Sequence, residues 1–135
     1  MKKYQYRLEF QVRDYECDLQ GVVNNAVYQQ YLEHARHEFI KTLGLDFAEL
    51  AEQGLNLVVI KAELEYKRSL RSGDRFWAGL IMEKISPLRY RFRQDIFLQP
   101  DNQLVLKGWI TGTGVNAKGR PQLPKEISRA LNEFG

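Results

Sequence analysis

The segment between residues 12 and 28 holds the side chains best suited to chemistry. Within this short stretch lie three acids, a glycine and the expected start of a helix: Asp14, Glu16, Asp18, Gly21 and Asn25. A helix N-terminus presents unpaired N–H groups and a partial positive charge, which can hold a developing oxyanion. An upstream carboxylate that folds back beside it can act as a nucleophile or as a base for water. Together these parts would form a minimal acyl-transfer site, although acids before a helix also serve as caps.

The elements on either side of this segment decide whether these groups can meet. Apolar and polar residues alternate over residues 5–14, the period of a strand with one buried face. Asn24 or Asn25 can then cap a long helix that ends at Gly44. Apolar residues recur at helical spacing along it: Tyr28, Leu32, Ala35 and Phe39. The segment is therefore expected to join a strand to a helix N-terminus.

The second half of the chain changes to the period of strands. Four strands are expected here, at residues 56–68, 75–85, 89–99 and 103–115. Pro, Gly and Asn residues mark the turns between them. A short helix is expected at 46–53, and another follows Pro124. One long helix among antiparallel strands predicts an α+β fold. Because one helix cannot cover both faces of the sheet, the chain is expected to pair with a copy of itself.

Residues 12–39 resemble the 4-hydroxybenzoyl-CoA thioesterase branch of the hotdog-fold superfamily. That family's motif is an Asp, two residues, a Gly, a hydrophobic pair, then two polar or aromatic residues and an aromatic shortly into the helix. Here the motif reads Asp18-x-x-Gly21-Val22-Val23-Asn24-Asn25-x-x-Tyr28. A second likeness runs from Tyr66 to Ser72-Gly73-Asp74. Within the family, the chain is most similar to plant acyl-lipid thioesterases and their bacterial relatives.

The resemblance implies a hotdog fold, an antiparallel sheet of about five strands wrapped around one long central helix. It also implies hydrolysis of acyl-CoA or acyl-carrier-protein (acyl-ACP) thioesters to free acid and thiol. Asp18 takes the place of the family's catalytic carboxylate, and the backbone N–H of Asn25 takes that of the oxyanion donor. Asp18 would attack the thioester carbonyl, or it would deprotonate the attacking water. No metal and no other cofactor are implied.

The other expected substrate contacts come from three places in the sequence. The motif contributes Gly21, Val22, Val23, Asn24 and Tyr28. The second likeness and the turn after it contribute Tyr66, Lys67, Arg68 and Arg71. The strand at 89–99 places three guanidinium groups on one face, those of Arg89, Arg91 and Arg93. These would dock the phosphates of CoA or an acidic carrier protein, or they form a solvated face paired with acids such as Glu83.

Other residues with chemical potential carry weaker signals. His34 and His37 lie one helical turn apart, which is a possible metal spacing, but no third ligand set accompanies them. Cys17 lies beside the motif, yet no pattern supports it as a nucleophile. Glycines on one face of the last strand predict close approach of the helix or a ligand: Gly108, Gly112 and Gly114.

Composition limits the classes of protein to which this chain can belong. The 135 residues are 44% hydrophobic and 27% charged, as expected for one globular domain over residues 1–135. The net charge of +3 suits an anionic ligand, while no RNA-binding signature or polybasic arm points to nucleic acid. A single cysteine cannot form an intrachain disulfide, which favours a reducing cytoplasm. Met1-Lys2-Lys3 precedes no apolar signal segment, and no apolar run is long enough for a membrane span.

Taken together, the sequence predicts a cytoplasmic acyl thioesterase of fatty acid or polyketide metabolism, assembled as a homodimer or homotetramer. A thioester suits so sparse a site because its thiolate leaves without strong acid help. A dehydratase of the same fold is disfavoured because neither histidine lies in the expected site. The alternative is a non-catalytic hotdog protein that binds acyl-CoA as a sensor or interaction partner.

Overall fold

The computed structural model describes residues 4–134, so the Met1-Lys2-Lys3 start lies outside the described residues. Its strands are β1 (Tyr6–Gln11), β2 (Asn56–Tyr66), β3 (Arg75–Ser86), β4 (Arg89–Leu98) and β5 (Gln103–Val115). Its helices are α1 (Asn25–Thr42), α2 (Phe47–Glu52) and α3 (Lys125–Phe134), with a single 3-10 turn at Asp14–Glu16. Each expected strand and helix is present within a few residues of its expected bounds. Within the described part of the chain, no helix is both long and apolar enough to cross a membrane.

The strands form one antiparallel sheet in the order β1-β3-β4-β5-β2. The chain therefore starts the sheet at one edge, forms α1, and re-enters the sheet at the opposite edge with β2. Hairpins then connect β3, β4 and β5 between these two edges. This arrangement confirms the expected α+β architecture of a sheet with one long helix.

Helix α1 supplies the main apolar stripe that packs on the sheet. It begins at a cap in which the Asn24 side chain accepts a hydrogen bond from the Ala26 N–H at 2.9 Å. It ends before Gly44, whose φ of +87° is the left-handed conformation typical of a helix stop. Between these ends α1 buries Tyr28, Tyr31, Leu32, Ala35, Phe39 and Ile40. Buried apolar residues of β3, β4 and β5 belong to the same core as this stripe.

Two glycines of β5 show why small residues are needed on its inward face. A Cβ on Gly108 would come within 3.2 Å of the Leu32 side chain, so the expected close approach of the helix is confirmed there. A Cβ on Gly114 would collide with the backbone carbonyl of Gln122, in the segment that follows the sheet. β5 is therefore covered by α1 at Gly108 and by the segment around Gln122 at Gly114.

Candidate active site

The loop between β1 and α1 folds back on itself as a tight hairpin. Cys17 and Val23 form an isolated antiparallel bridge, and the Asp18 N–H donates to the Val22 carbonyl at 2.9 Å. The Gly21 N–H donates to the Asp18 carbonyl at 3.0 Å, and Gly21 has a φ of +79° that favours glycine. This turn brings Asp18 back beside the first residues of α1, as the spacing of the motif predicts.

Backbone hydrogen bonds fix this hairpin to the segment after β2. The Val23 N–H donates to the Leu70 carbonyl at 2.9 Å, and Val22 forms a bridge with Arg71. In return, the Leu70 N–H donates to the hydroxyl of Tyr28 at 3.0 Å. Two stretches of sequence that are far apart in the chain therefore meet at the start of α1.

A cavity of about 440 Å³ opens where these stretches meet. Its lining is formed by Asp18, Gln20, Val22, Val23, Asn24, Asn25, Tyr28, Tyr66, Lys67, Arg68 and Ser69. Most of the site residues expected from the sequence are thus brought together, and Gly21 forms the turn beside them. Gln20 and Ser69 were missed, although each is adjacent in sequence to an expected site residue.

Two polar groups of the residues that line this cavity have no hydrogen-bond partner within residues 4–134. One oxygen of the exposed Asp18 carboxylate accepts the Gln20 N–H at 2.9 Å, which orients the side chain. The other oxygen makes no hydrogen bond with any residue of the described chain. Asn25 is the first residue of α1, and within residues 4–134 its backbone N–H likewise has no acceptor. The cavity therefore combines an available carboxylate with an available helix-terminal donor.

Tyrosines form one wall of the cavity. Tyr28 is 2% exposed, and its burial raises the pKa of the phenol, so the hydroxyl stays neutral while it accepts the Leu70 N–H. The Tyr66 ring meets the Tyr28 ring edge-on at a centroid distance of 5.5 Å and remains 47% exposed. This wall is apolar over its rings and offers no charged group that would compete with Asp18.

The expected basic contacts are divided between two regions. Lys67 and Arg68 line the cavity, and Arg71 is exposed nearby at the bridge to Val22. Arg89 and Arg91 do not line it, because alternate residues of β4 face α1 and these arginines point to the opposite face.

On that opposite face the arginines have local partners. Arg91 pairs with Glu83 at 2.8 Å, as in the solvated-face alternative, and the Arg93 guanidinium lies 5.7 Å from the centre of the Trp109 ring. The structure therefore leaves these groups outside the cavity of their own chain.

The histidines and the cysteine lie away from the centre of the cavity. The His34 ring packs against Phe10 at 5.9 Å, and the His37 ring packs against Phe47 at 5.2 Å. Cys17 is half-buried and forms no disulfide. Among residues 4–134, no group of three or more His, Cys, Asp and Glu side chains is placed to hold a metal ion.

Two further cavities lie along α1, between this helix and β2, and are together called the groove. The first, of about 220 Å³, is lined by apolar residues such as Leu32 and Ala62 and by polar residues such as Gln29 and Glu33. The second, of about 370 Å³ against α2, shares Glu33 with the first and is otherwise lined by residues such as Ile40 and Leu57. Successive cavities thus follow the same helix face away from Asp18.

Comparison with known proteins places the chain in a family. Residues 12–131 match the model of the thioesterase-like superfamily. The chain is 35% identical over 130 residues to the acyl-acyl carrier protein thioesterase ATL2 of Arabidopsis thaliana, which covers 96% of this chain and 69% of the plant protein. It is 25% identical over 118 residues to the long-chain acyl-CoA thioesterase FadM of Escherichia coli, covering 87% and 89% of the two chains.

A solved structure confirms the fold. The chain superposes on a 1,4-dihydroxy-2-naphthoyl-CoA thioesterase from Synechocystis with a TM-score of 0.89 over 96% of both chains. At 19% identity, this likeness is evidence for the fold alone. Because the family model spans most of the chain and the plant relative is similar along nearly all of it, the protein belongs to the thioesterase-like superfamily and is a thioester hydrolase with the hotdog fold.

Proposed function

We propose that this protein hydrolyses acyl-CoA or acyl-ACP thioesters at the cavity beside the start of α1. The observation that carries the proposal is the presence of a free Asp18 oxygen and a free Asn25 N–H in the lining of one cavity. The first can supply a base or a nucleophile, and the second can polarise a carbonyl. The named activities of the relatives in Arabidopsis and Escherichia coli support this choice of substrate class.

In the proposed reaction, the thioester carbonyl oxygen lies against the Asn25 N–H, where the partial positive charge of α1 favours developing negative charge. Asp18 either deprotonates a water that attacks the carbonyl carbon or attacks that carbon itself to give a mixed anhydride. In both routes the C–S bond breaks and the thiolate leaves. In the second route, water then hydrolyses the anhydride and regenerates the carboxylate.

The surroundings of the cavity suit the two ends of such a substrate. Lys67 and Arg68 place positive charge at its rim, where the phosphates of CoA or of a carrier's phosphopantetheine arm would lie. The apolar side chains of the groove along α1, such as Leu32, Leu57 and Ala62, offer contacts for the acyl chain. We place the enzyme in the cytoplasm, where the unpaired Cys17 thiol would remain reduced.

The experiment that tests this function measures thiol release from a panel of acyl-CoA and acyl-ACP substrates. Turnover of at least one thioester in either carrier class supports the proposal. If no thioester of the panel is hydrolysed but acyl-CoA still binds, the sensor alternative is correct.

We also propose that the protein is at least a homodimer formed through the free edge of β2. This strand stands at the edge of the sheet over eleven residues, and its side chains include exposed apolar groups: Val59, Ile60 and Tyr66 are 52%, 46% and 47% exposed. An edge strand presents unpaired N–H and C=O groups that are a template for another strand, and in β2 the apolar groups stand beside the exposed charges of Lys61, Glu63 and Glu65. Pairing two β2 edges would extend the sheet across both copies and cover the open side of the groove.

Light scattering of the purified protein at micromolar concentration is therefore expected to give at least twice the mass of one chain. Ile60→Lys should shift the protein toward the monomer, because a lysine on an edge strand opposes strand pairing. Leu88→Lys is the matched control, since Leu88 is exposed to a similar extent (44%) but lies in the turn before β4. A native monomer, or equal dissociation of both variants, would contradict pairing through β2.

A further inference from the structure

A polar pair of residues, the half-buried Arg36 and the buried Gln94, lies in the groove between α1 and the sheet. Gln94 is fully buried on the inward row of β4, between Phe92 and Ile96. Its amide donates to the Leu32 carbonyl at 3.0 Å, and its side-chain oxygen accepts a hydrogen bond from the Arg36 guanidinium, also at 3.0 Å. The Gln94 amide therefore links the Arg36 guanidinium to the Leu32 carbonyl, on the turn of α1 between Leu32 and Arg36.

The Arg36 cation has no ionic partner close to it. No Asp or Glu oxygen of the described chain lies within 4.0 Å of its guanidinium. Burial lowers the pKa of Arg36, and Glu33, one turn earlier, only partly offsets this effect. Tyr90 lines the cavity beyond, and burial raises its pKa to about 12, so its phenol does not neutralise the cation. The guanidinium is thus held by a neutral amide, with the Glu33 carboxylate in the same cavities but beyond ion-pair distance.

Arg36 stands at the boundary between two cavities of the groove. It lines both the 220 Å³ cavity that follows the active site and the 370 Å³ cavity beyond it. Glu33 of α1, Val59 of β2 and Ile110 of β5 line the same two cavities. An alkyl chain that starts at the Asp18 cavity and follows α1 would meet the guanidinium before it reached the deeper space.

We propose that Arg36, held by Gln94, sets the maximum length of the acyl chain that this enzyme accepts efficiently. The inference rests on the proposed thioesterase function. Methylene groups placed against the guanidinium would strip its remaining water without supplying an acceptor, which is unfavourable for a charged group. Chains that end before Arg36 avoid this cost, and longer chains incur it.

The position of the polar pair predicts where the limit falls. Seven residues separate Asn25 from Leu32 and eleven separate it from Arg36, which corresponds to about 10 Å and about 16 Å along the helix at 1.5 Å per residue. An extended chain advances roughly 1.2 Å per bond, a third of the length of an extended residue, so about eight to fourteen carbons fit before the guanidinium. Saturated thioesters in the range from octanoyl to myristoyl are therefore the expected best substrates.

The test compares kcat/KM for saturated acyl thioesters from hexanoyl to palmitoyl, on whichever carrier the native enzyme accepts. The native enzyme should prefer at least one thioester from octanoyl to myristoyl over palmitoyl by roughly tenfold or more. The double variant Arg36→Met/Gln94→Leu removes both hydrogen-bonding partners together, so neither is left buried and unsatisfied. It should raise the palmitoyl-to-octanoyl ratio by roughly tenfold.

Two matched variants are expected to keep the native chain-length profile. Arg36→Lys retains the charge at the boundary, and His34→Gln changes α1 where it lines a different cavity, beside β1. An unchanged profile in the double variant would overturn the proposal. A second result would also overturn it. If the native enzyme preferred decanoyl chains with a terminal carboxylate and the double variant lost this preference, Arg36 would bind a substrate anion and would not limit chain length. If the native enzyme hydrolyses no thioester, the proposed function fails instead.

Discussion

Replacing Asp18 by Asn is expected to lower kcat for thioester hydrolysis by about 10²–10⁴-fold, the usual contribution of a positioned acid–base group. The amide oxygen of Asn can still accept the Gln20 N–H, so the hairpin and its turn are kept. The amide cannot accept a proton from water or attack a carbonyl. Thiol release under saturating substrate measures the loss, and thermal unfolding verifies that the variant folds like the native protein.

Asp14→Asn provides the matched control for this experiment. Asp14 lies in the same segment and is exposed, but it accepts a hydrogen bond from the Ser72 hydroxyl and does not line the cavity. Its replacement should change kcat by less than about threefold, within the range of a surface substitution. Undiminished turnover by Asp18→Asn would remove Asp18 from the proposed mechanism, whatever the control does.

Asn25→Pro is expected to lower kcat by about 10²–10³-fold, because proline has no backbone N–H and removing one oxyanion donor typically costs this much. The position tolerates proline structurally. Asn25 is the first residue of α1, where proline is common, and Asn24 has the extended φ and ψ of −64° and 140° that a residue before proline requires. The unfolding midpoint should therefore stay close to that of the native protein.

Asn25→Ala separates the backbone from the side chain at this position. It keeps the N–H and removes the amide, so most of the activity should remain if the backbone group is the donor. Equal losses in the alanine and proline variants would assign the effect to the side chain. Full activity in the proline variant would show that the carbonyl is polarised elsewhere.

Much of the secondary structure follows from local signals. The alternating patterns and the turn residues placed each strand within a few residues of its observed bounds, as with β5 at Gln103–Val115. The order of strands in the sheet does not follow from such signals. That β1 and β2 occupy opposite edges depends on pairings between distant segments, which period and turn chemistry do not encode.

The candidate site was predictable because it is built from neighbouring residues. Asp18, Gly21 and Asn25 lie in one short loop and at the helix start that follows it, so their meeting needs only a tight turn. Arg89 and Arg91 illustrate the opposite case. Their alternation correctly places them on one face of a strand, but only the packing of α1 decides which face meets the cavity.

The polar pair at Arg36 could not be foreseen from the spacing of residues on α1. Gln94 lies 58 residues away from Arg36 on β4, and only the fold brings the two together. The available signal was a polar residue between Phe92 and Ile96 on an otherwise apolar row. A glutamine at such a position usually has a buried hydrogen-bonding partner. The spacing of apolar residues does not identify which residue that partner is.

The backbone bonds that hold the hairpin have a consequence for how this enzyme can diversify. The position of Asp18 depends on main-chain contacts of Val22, Val23 and Leu70, together with the left-handed turn at Gly21. Side chains that line the cavity without taking part in this bonding, such as Gln20 and Arg68, can change without disturbing these main-chain contacts. Carrier and acyl preference can therefore drift among descendants of this sequence while Asp18 and the start of α1 keep their places.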